Sequence, residues 1–221
     1  MYTNFEAMTK VKVLSYTISL DGYGAGPEQS LEKPMGLGAE HLHDWLRETK
    51  VFGKMVGQEL GSEGFDNDFV EKGFENLGAW IMGRNMFGPI RGDWPNGEWK
   101  GWWGPNPPYH VPVFVLTHFE REPLTMKGGT TFYFVTQGIE AALEQAKKAA
   151  NGRDIRIGGG ADTVRQFLKA GYIDELHLAV SPVFLGSGEH LFAGIDMVSL
   201  GYKTVQRTEG ELATHLVITK G

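Results

Sequence analysis

The sequence predicts an α/β fold: a three-layer α/β/α domain with a mostly parallel mixed central sheet and a C-terminal antiparallel hairpin. Three observations predict it. Short apolar or alternating runs of strand length recur at 11–20, 79–82, 111–116, 131–135, 154–157 and 175–183. Helical periodicity separates many of them, at 39–50, 66–77, 138–150 and 161–170. The chain then closes on two strand-like runs, 198–207 and 212–219, around Glu209-Gly210.

Residues 1–9 show no periodic pattern and read as an extension, leaving 10–221 as one domain. The run 11–20 sets Val11, Val13, Ser15, Thr17 and Ser19 on one face and Lys12, Leu14, Tyr16, Ile18 and Leu20 on the other. Both faces are largely apolar, which suits a central strand covered on two sides. It leaves through Ser19-Leu20-Asp21-Gly22. Asp21 has two readings: an Asp-Gly turn, or a group that orients or protonates a substrate. Residues 27–38 are loop, with Pro27 and Pro34. The helical run 39–50 carries Leu42, Trp45 and Leu46 on one stripe, and His41 and His43, two positions apart, face different ways and make no metal pair. Residues 51–65 read as irregular. Asp66 or Asn67 then caps a helix reaching Leu77, with Phe69, Val70 and Phe74 inward and Gly78 past its end.

The strand 79–82 runs straight into Gly83-Arg84-Asn85. A helix starting there turns Arg84 and free N–H groups toward an anion. In 89–110, Trp94, Trp99, Trp102 and Trp103 share a proline- and glycine-rich stretch that forms neither helix nor central strand. It reads as packing on its own domain, a lid, or a partner surface. The strand 111–116 delivers Thr117 and His118 to its C-terminal end, where open α/β sheets bind ligands. After the strand 131–135, the helix 138–150 turns Ile139, Ala142, Leu143 and Ala146 inward and pairs Glu144 with Lys148.

Next comes the stretch on which the chain is organised. A strand with Ile155 and Ile157 on one face ends in Gly158-Gly159-Gly160, and a helix begins at once with Ala161, Asp162 and Thr163. The glycines let a ligand touch the main chain. The helix start offers free amides and the positive end of a dipole, the chemistry a pyrophosphate requires. The dinucleotide fingerprint Gly-x-Gly-x-x-Gly fails at Thr163, and the segment lies late in the chain, so this is not a standard Rossmann unit.

Composition narrows the classes. The 221 residues are 41% hydrophobic and 22% charged, a globular composition. No apolar run approaches the roughly 20 residues that span a bilayer, no leader pattern is seen, and a cytoplasmic location is expected. There is no cysteine, which excludes disulfides, thiol catalysis and thiolate metal sites. The net charge of −6 argues against general nucleic-acid binding. Tyr-x-x-x-Lys, Gly-x-Ser-x-Gly and the phosphate-binding-loop pattern do not occur.

The segments Ile81-Met-Gly-Arg-Asn-Met-Phe87, Pro112-Val-Phe-Val-Leu-Thr-His118 and Ile157-Gly-Gly-Gly-Ala-Asp162 resemble the nucleotide-binding segments of the dihydrofolate reductase-like fold. Gly171-Tyr-Ile-Asp-Glu-Leu-His-Leu178, followed by Ser181-Pro-Val-Phe-Leu-Gly-Ser-Gly-Glu-His-Leu-Phe192, resembles the reductase (C-terminal) domain of the bacterial riboflavin biosynthesis protein in stand-alone form. The resemblance implies NADPH as hydride donor and a small pyrimidine or pterin-like heterocycle as acceptor, reduced at C=N or C=O. It implies a homodimer too. By the same resemblance, Gly83, Arg84 and Asn85 lie on the adenosine-phosphate side and Thr117 and His118 near the 2′-phosphate. Gly158, Gly159, Gly160, Ala161, Asp162 and Thr163 cradle the pyrophosphate. Asp21 is the candidate catalytic group, and Glu40 and Asp44 are the candidates for a folate-type acid. The tryptophan-rich loop at 91–108 is an insertion relative to that domain, and the deaminase half is absent. The alternative is a non-catalytic nucleotide-binding or scaffold protein that kept the fold.

Overall fold

The computed structural model describes residues 9–90, 92–94 and 99–221. The expected extension lies outside them apart from residue 9, as do position 91 and residues 95–98 of the tryptophan-rich loop. The described elements are β1 (Val11–Ile18), α1 (Asp44–Arg47), α2 (Lys50–Met55), α3 (Phe65–Lys72), β2 (Leu77–Gly83), α4 (Arg84–Phe87), β3 (Pro112–Leu116), β4 (Leu124–Thr125), β5 (Thr131–Val135), α5 (Ile139–Ala150), β6 (Asp154–Ile157), α6 (Ala161–Lys169), β7 (Glu175–Val180), β8 (Tyr202–Glu209) and β9 (Thr214–Lys220). They form a sheet of order β4-β5-β3-β2-β6-β1-β7-β9-β8. From β5 through β7 neighbouring strands are parallel, while β4 at one edge and the β9–β8 hairpin at the other are antiparallel. The last strand β9 inserts beside β7 and leaves β8 as the exposed rim. Among the described residues no helix is long and apolar enough to cross a membrane.

Alternation along each strand assigns the layers. Ala79 and Ile81 join Phe114, Ile155 and Ile157 in one core, covered by α5 and α6. Trp80 and Met82 point the other way, with Val113, Val115 and Phe132, beneath the tryptophan-rich loop. On that same side α1 to α3 bury Trp45 and Val70 against Ala179 and Ala213. β2 is buried along its whole length, the mark of a strand covered on both faces.

Three expected elements change. The single helix expected over 39–50 is reduced to the one turn α1, and α2 starts after Thr49, whose backbone is extended and whose hydroxyl caps α2 by accepting from Phe52 N (3.2 Å) while donating to Leu46 O (2.7 Å). The irregular stretch after residue 50 is therefore partly α2. The helix expected to run from a cap at Asp66 or Asn67 to Leu77 instead starts at Phe65 after Gly64, with no side-chain cap, and stops at Gly73, and Leu77 opens β2.

A buried polar chain ties β1 to the α3 side. β1 bulges between Val13 and Tyr16, where Ser15 adopts φ 52°. Ser15 N donates to His177 Nδ1 (3.0 Å), His177 Nε2 meets His215 Nδ1 (3.0 Å), and His215 Nε2 meets Asp66 Oδ1 (2.7 Å). The amide at one end only donates, so each Nδ1 accepts and each Nε2 carries the hydrogen. Phe69 stacks on both imidazoles, at 4.4 and 4.3 Å between centroids. Asp66 Oδ2 accepts from Leu212 N (2.8 Å), which fastens the final hairpin.

Candidate active site

β2 lies between β3 and β6, and all three run parallel, so their C-terminal ends emerge together. Gly158 N donates to Ile81 O (2.8 Å) and Gly83 N to Gly159 O (2.6 Å), which joins the two glycine turns directly. The Gly159–Gly160 peptide is cis. Packing here leaves no room for side chains: a Cβ on Gly158 would fall 2.0 Å from Trp80 Nε1, and one on Gly83 would fall 2.4 Å from Thr163 Oγ1.

These ends open on a cavity of about 1020 Å³. Its wall includes Gly83, Arg84, Asn85, Thr117, His118, Gly158, Gly159, Gly160, Ala161, Asp162 and Thr163, so the structure brings every residue expected at the nucleotide into one place. Their contributions differ. Gly160 has open space where its Cβ would stand, and no side chain caps α6, so the first amides of that nine-residue helix face an accessible groove. Asp162 turns its carboxylate back onto Arg165 Nη2 (3.1 Å) and Gln166 Nε2 (2.7 Å), which leaves its main chain as the ligand-facing part. The Thr117 hydroxyl holds the exit turn by accepting from Phe119 N (3.2 Å), and His118 is exposed. The Arg84 guanidinium stacks 3.9 Å from Trp94 and 4.9 Å from Phe119. The helix expected after Gly83 is the single turn α4, too short for a developed dipole, so the second helix N-terminus invoked from sequence is corrected to a turn.

Asp21, the candidate catalytic group, is engaged elsewhere. It is not part of the cavity wall. Its carboxylate accepts from Ser19 Oγ (2.6 Å), Leu185 N (3.1 Å) and Gly186 N (2.7 Å), joining the exit of β1 to the loop after β7. The Ser19 hydroxyl, helped by those amides, lowers its pKa to about 2, whereas a general acid near neutrality needs a raised value. Glu40 and Asp44 are likewise absent from the wall; Asp44 holds His41 (2.8 Å) and Arg47 (2.9 Å).

The tryptophan-rich loop is stitched to its own domain. Trp94 Nε1 donates to Phe119 O (3.0 Å), Trp99 Nε1 to Phe87 O (2.9 Å) and Trp102 Nε1 to Met86 O (3.0 Å). Trp102 and Trp103 complete the wall of the cavity from that side.

Sequence reasoning missed another stretch of the cavity wall. Arg156, Trp80, Tyr109, Tyr16 and His43 line it. Arg156 is 8% exposed, and burial lowers its pKa to about 9. Burial also raises the pKa of the Tyr16 phenol and raises that of Tyr109 to about 12, and it lowers that of His43 to about 4. By alternation Asp154 and Arg156 read as the polar face of this strand, and only the fold buries that face.

With this geometry in hand, similarity to known proteins follows the same lines. A family model described as the RibD C-terminal domain matches residues 11–216. The uncharacterized protein YwjB of Bacillus subtilis (strain 168) is 42% identical over 193 residues, 84% of this chain and 84% of YwjB. The uncharacterized protein YyaP of the same organism is 36% identical over 62 residues, which span 28% of this chain and 32% of YyaP. Among solved structures, one described as a riboflavin biosynthesis protein from Shewanella sp. PV-4 is similar at TM-score 0.60 and 24% identity, covering 97% of this chain and 99% of that one. Dihydrofolate reductase from Enterococcus faecalis, complexed with NADP(H) and RAB-propyl, is similar at TM-score 0.51 and 14% identity over 98% of both chains. A diaminohydroxyphosphoribosylaminopyrimidine deaminase/5-amino-6-(5-phosphoribosylamino)uracil reductase from Thermotoga maritima is similar at TM-score 0.54 and 14% identity, and this chain spans 56% of it. The structural likenesses show a shared dihydrofolate reductase-like fold.

Proposed function

The chain belongs to the RibD C-terminal domain family, and from that premise we propose that it is an NADPH-dependent reductase of a small heterocycle. The observation that carries this is the junction of the two glycine turns, Gly83 bonded to Gly159, beside a large cavity and the uncapped start of α6. The residues fit a dinucleotide. The space left at Gly160 and the free amides of α6 receive a pyrophosphate, and Arg84, Thr117 and His118 line the continuation of the groove. When bound there, NADPH would supply a hydride to the carbon of a C=N or C=O bond, with a proton going to the heteroatom and NADP⁺ left as product.

The chain's own part is to hold two flat molecules in contact and to exclude water. Trp80, Trp103 and Tyr109 provide an apolar enclosure for the acceptor next to Gly158. Tyr16 lines the same wall and stays protonated because burial raises its pKa, so its hydroxyl orients an acceptor atom by donation. It is too weak an acid to supply the proton, which enters from bulk solvent after the hydride has moved.

Gly160→Ala tests the placement. Nothing stands within 4 Å of the new methyl, so the fold survives, while the methyl takes the space assigned to the pyrophosphate. NADPH affinity, read by fluorescence titration, is expected to fall by about 1–3 kcal/mol with the melting temperature unchanged. A wild-type chain that binds no NADPH overturns the reductase reading and favours the non-catalytic scaffold; a variant with the same titration curve overturns the placement of the pyrophosphate at Gly160.

A further inference from the structure

We propose that the aromatic end of the cavity accepts a planar ring bearing an anionic oxygen edge, a ring carboxylate or an ionised ring oxygen, and that Arg156 selects it. This deepens the reductase reading by naming the class of acceptor, and it rests on that reading only for what lies beside the ring.

Arg156 stands two residues before Gly158 on β6, so the side chain rises on the same face of the strand as the glycine turn. Its fork is fixed by two main-chain carbonyls, Nη1 to Gly73 O (2.9 Å) and Nη2 to Leu14 O (2.7 Å). Those carbonyls orient the guanidinium and carry no charge. No carboxylate among the described residues lies within ion-pair distance of it. The two carboxylates of the cavity wall, Asp162 and Glu189, are both drawn to Arg165 at the α6 end (3.1 and 3.5 Å).

A second observation points to a ligand. Arg156 Nε and Trp80 Nε1 are buried donors without a hydrogen-bond partner among the described residues, on side chains only 8% and 4% exposed. A guanidinium has five N–H groups, and the two carbonyls occupy one each. A buried cation without a counter-charge is unfavourable, and an entering anion relieves it. The surroundings set the shape of that anion. The guanidinium lies 4.3 Å from the Trp80 ring and 5.3 Å from the Phe74 ring, and Tyr109 meets Trp80 edge-on at 4.8 Å. Flat apolar walls around one fixed cation fit a planar ring whose edge carries the charge.

The test uses three probes of nearly the same size on the full chain at neutral pH without cofactor, read by tryptophan fluorescence: orotate (ring carboxylate), barbiturate (ionised ring oxygen) and uracil (neutral). One or both anions are expected to bind about tenfold or more tighter than uracil, the scale of a charge-assisted hydrogen bond; the anion that responds says which oxygen is recognised. Arg156→Met is expected to abolish the preference, and Arg156→Lys to keep part of it and to serve if the methionine variant does not fold. NADPH titration of both variants is expected to match wild type. Equal binding of the three probes, binding of none, or a preference that survives Arg156→Met overturns the proposal. Anion binding in a chain that does not take NADPH sinks the reductase reading and leaves this site standing; NADPH binding without anion preference does the reverse.

Discussion

The chain Ser15–His177–His215–Asp66 and the wall Arg156–Trp80 are both polar, both buried and both held by β1 and its neighbours, yet they are finished differently. In the first, each donor meets an acceptor from an amide at one end to a carboxylate at the other, and Asp66 spends its second oxygen on Leu212 N. In the second, two carbonyls take part of a guanidinium, and two further donors have no partner among the described residues. A saturated polar chain is architecture: it fixes which strands and helices meet. An unsaturated one beside a cavity reserves capacity for something that arrives later.

That contrast breaks most visibly at Asp66. Asp66→Ala strips the acceptor from His215 and from Leu212, and is expected to destabilise the chain by about 4 kcal/mol, the scale of opening a buried network. Arg156→Met removes an uncompensated buried charge but also leaves Gly73 O and Leu14 O without their donors, opposing effects expected to change stability by only about 1–2 kcal/mol. Denaturant unfolding of the two variants side by side checks the order; equal losses would erase the distinction.

Acid sharpens it next. Burial, aided by the nearby His215 and Arg156, lowers the pKa of His177 to about 3 from 6.5, and burial lowers that of His215 as well. Below pH 6.5 an unfolded chain takes up protons that the folded imidazoles refuse, so stability is lost as pH falls toward 3 and is fully present above 6.5. The expected slope from His177 is roughly 1.4 kcal/mol per pH unit, and His215 acts in the same direction. Chemical denaturation between pH 7 and 4 measures it, and a His177→Gln variant with an unchanged slope would remove His177 from the account.

The smallest effect is expected at Asp21. Asp21→Asn is expected to leave kcat/KM within about twofold, because its carboxylate serves a loop junction and not the cavity. It is expected to lower the melting temperature slightly. A large loss of turnover with an intact fold would restore the catalytic role read from sequence.

Much of the architecture was legible because it depends on local pattern. Alternation and helical spacing located β2, β3, β5, α5, β6 and α6 closely, since their apolar residues fall at fixed periods whatever they pack against. Helix ends were harder. Thr49 is an ordinary helix residue by composition, and only its extended backbone makes it a cap. The glycine turns were legible as close approaches, but not that Gly83 would bond to Gly159.

By itself the sequence determined the fold class, the family likeness and the segments that reach the cavity, because period, glycine spacing and strand-to-helix junctions are properties of neighbouring residues. Tertiary structure alone decided the rest: that Asp21 is bound by a loop 164 residues away, that Asp66 completes a histidine chain from 149 residues away, and that Arg156 faces a cavity without a carboxylate beside it. The physical reason is the same in each case. The state of a polar group is set by what surrounds it in space, and its sequence neighbours supply only a small part of that surrounding.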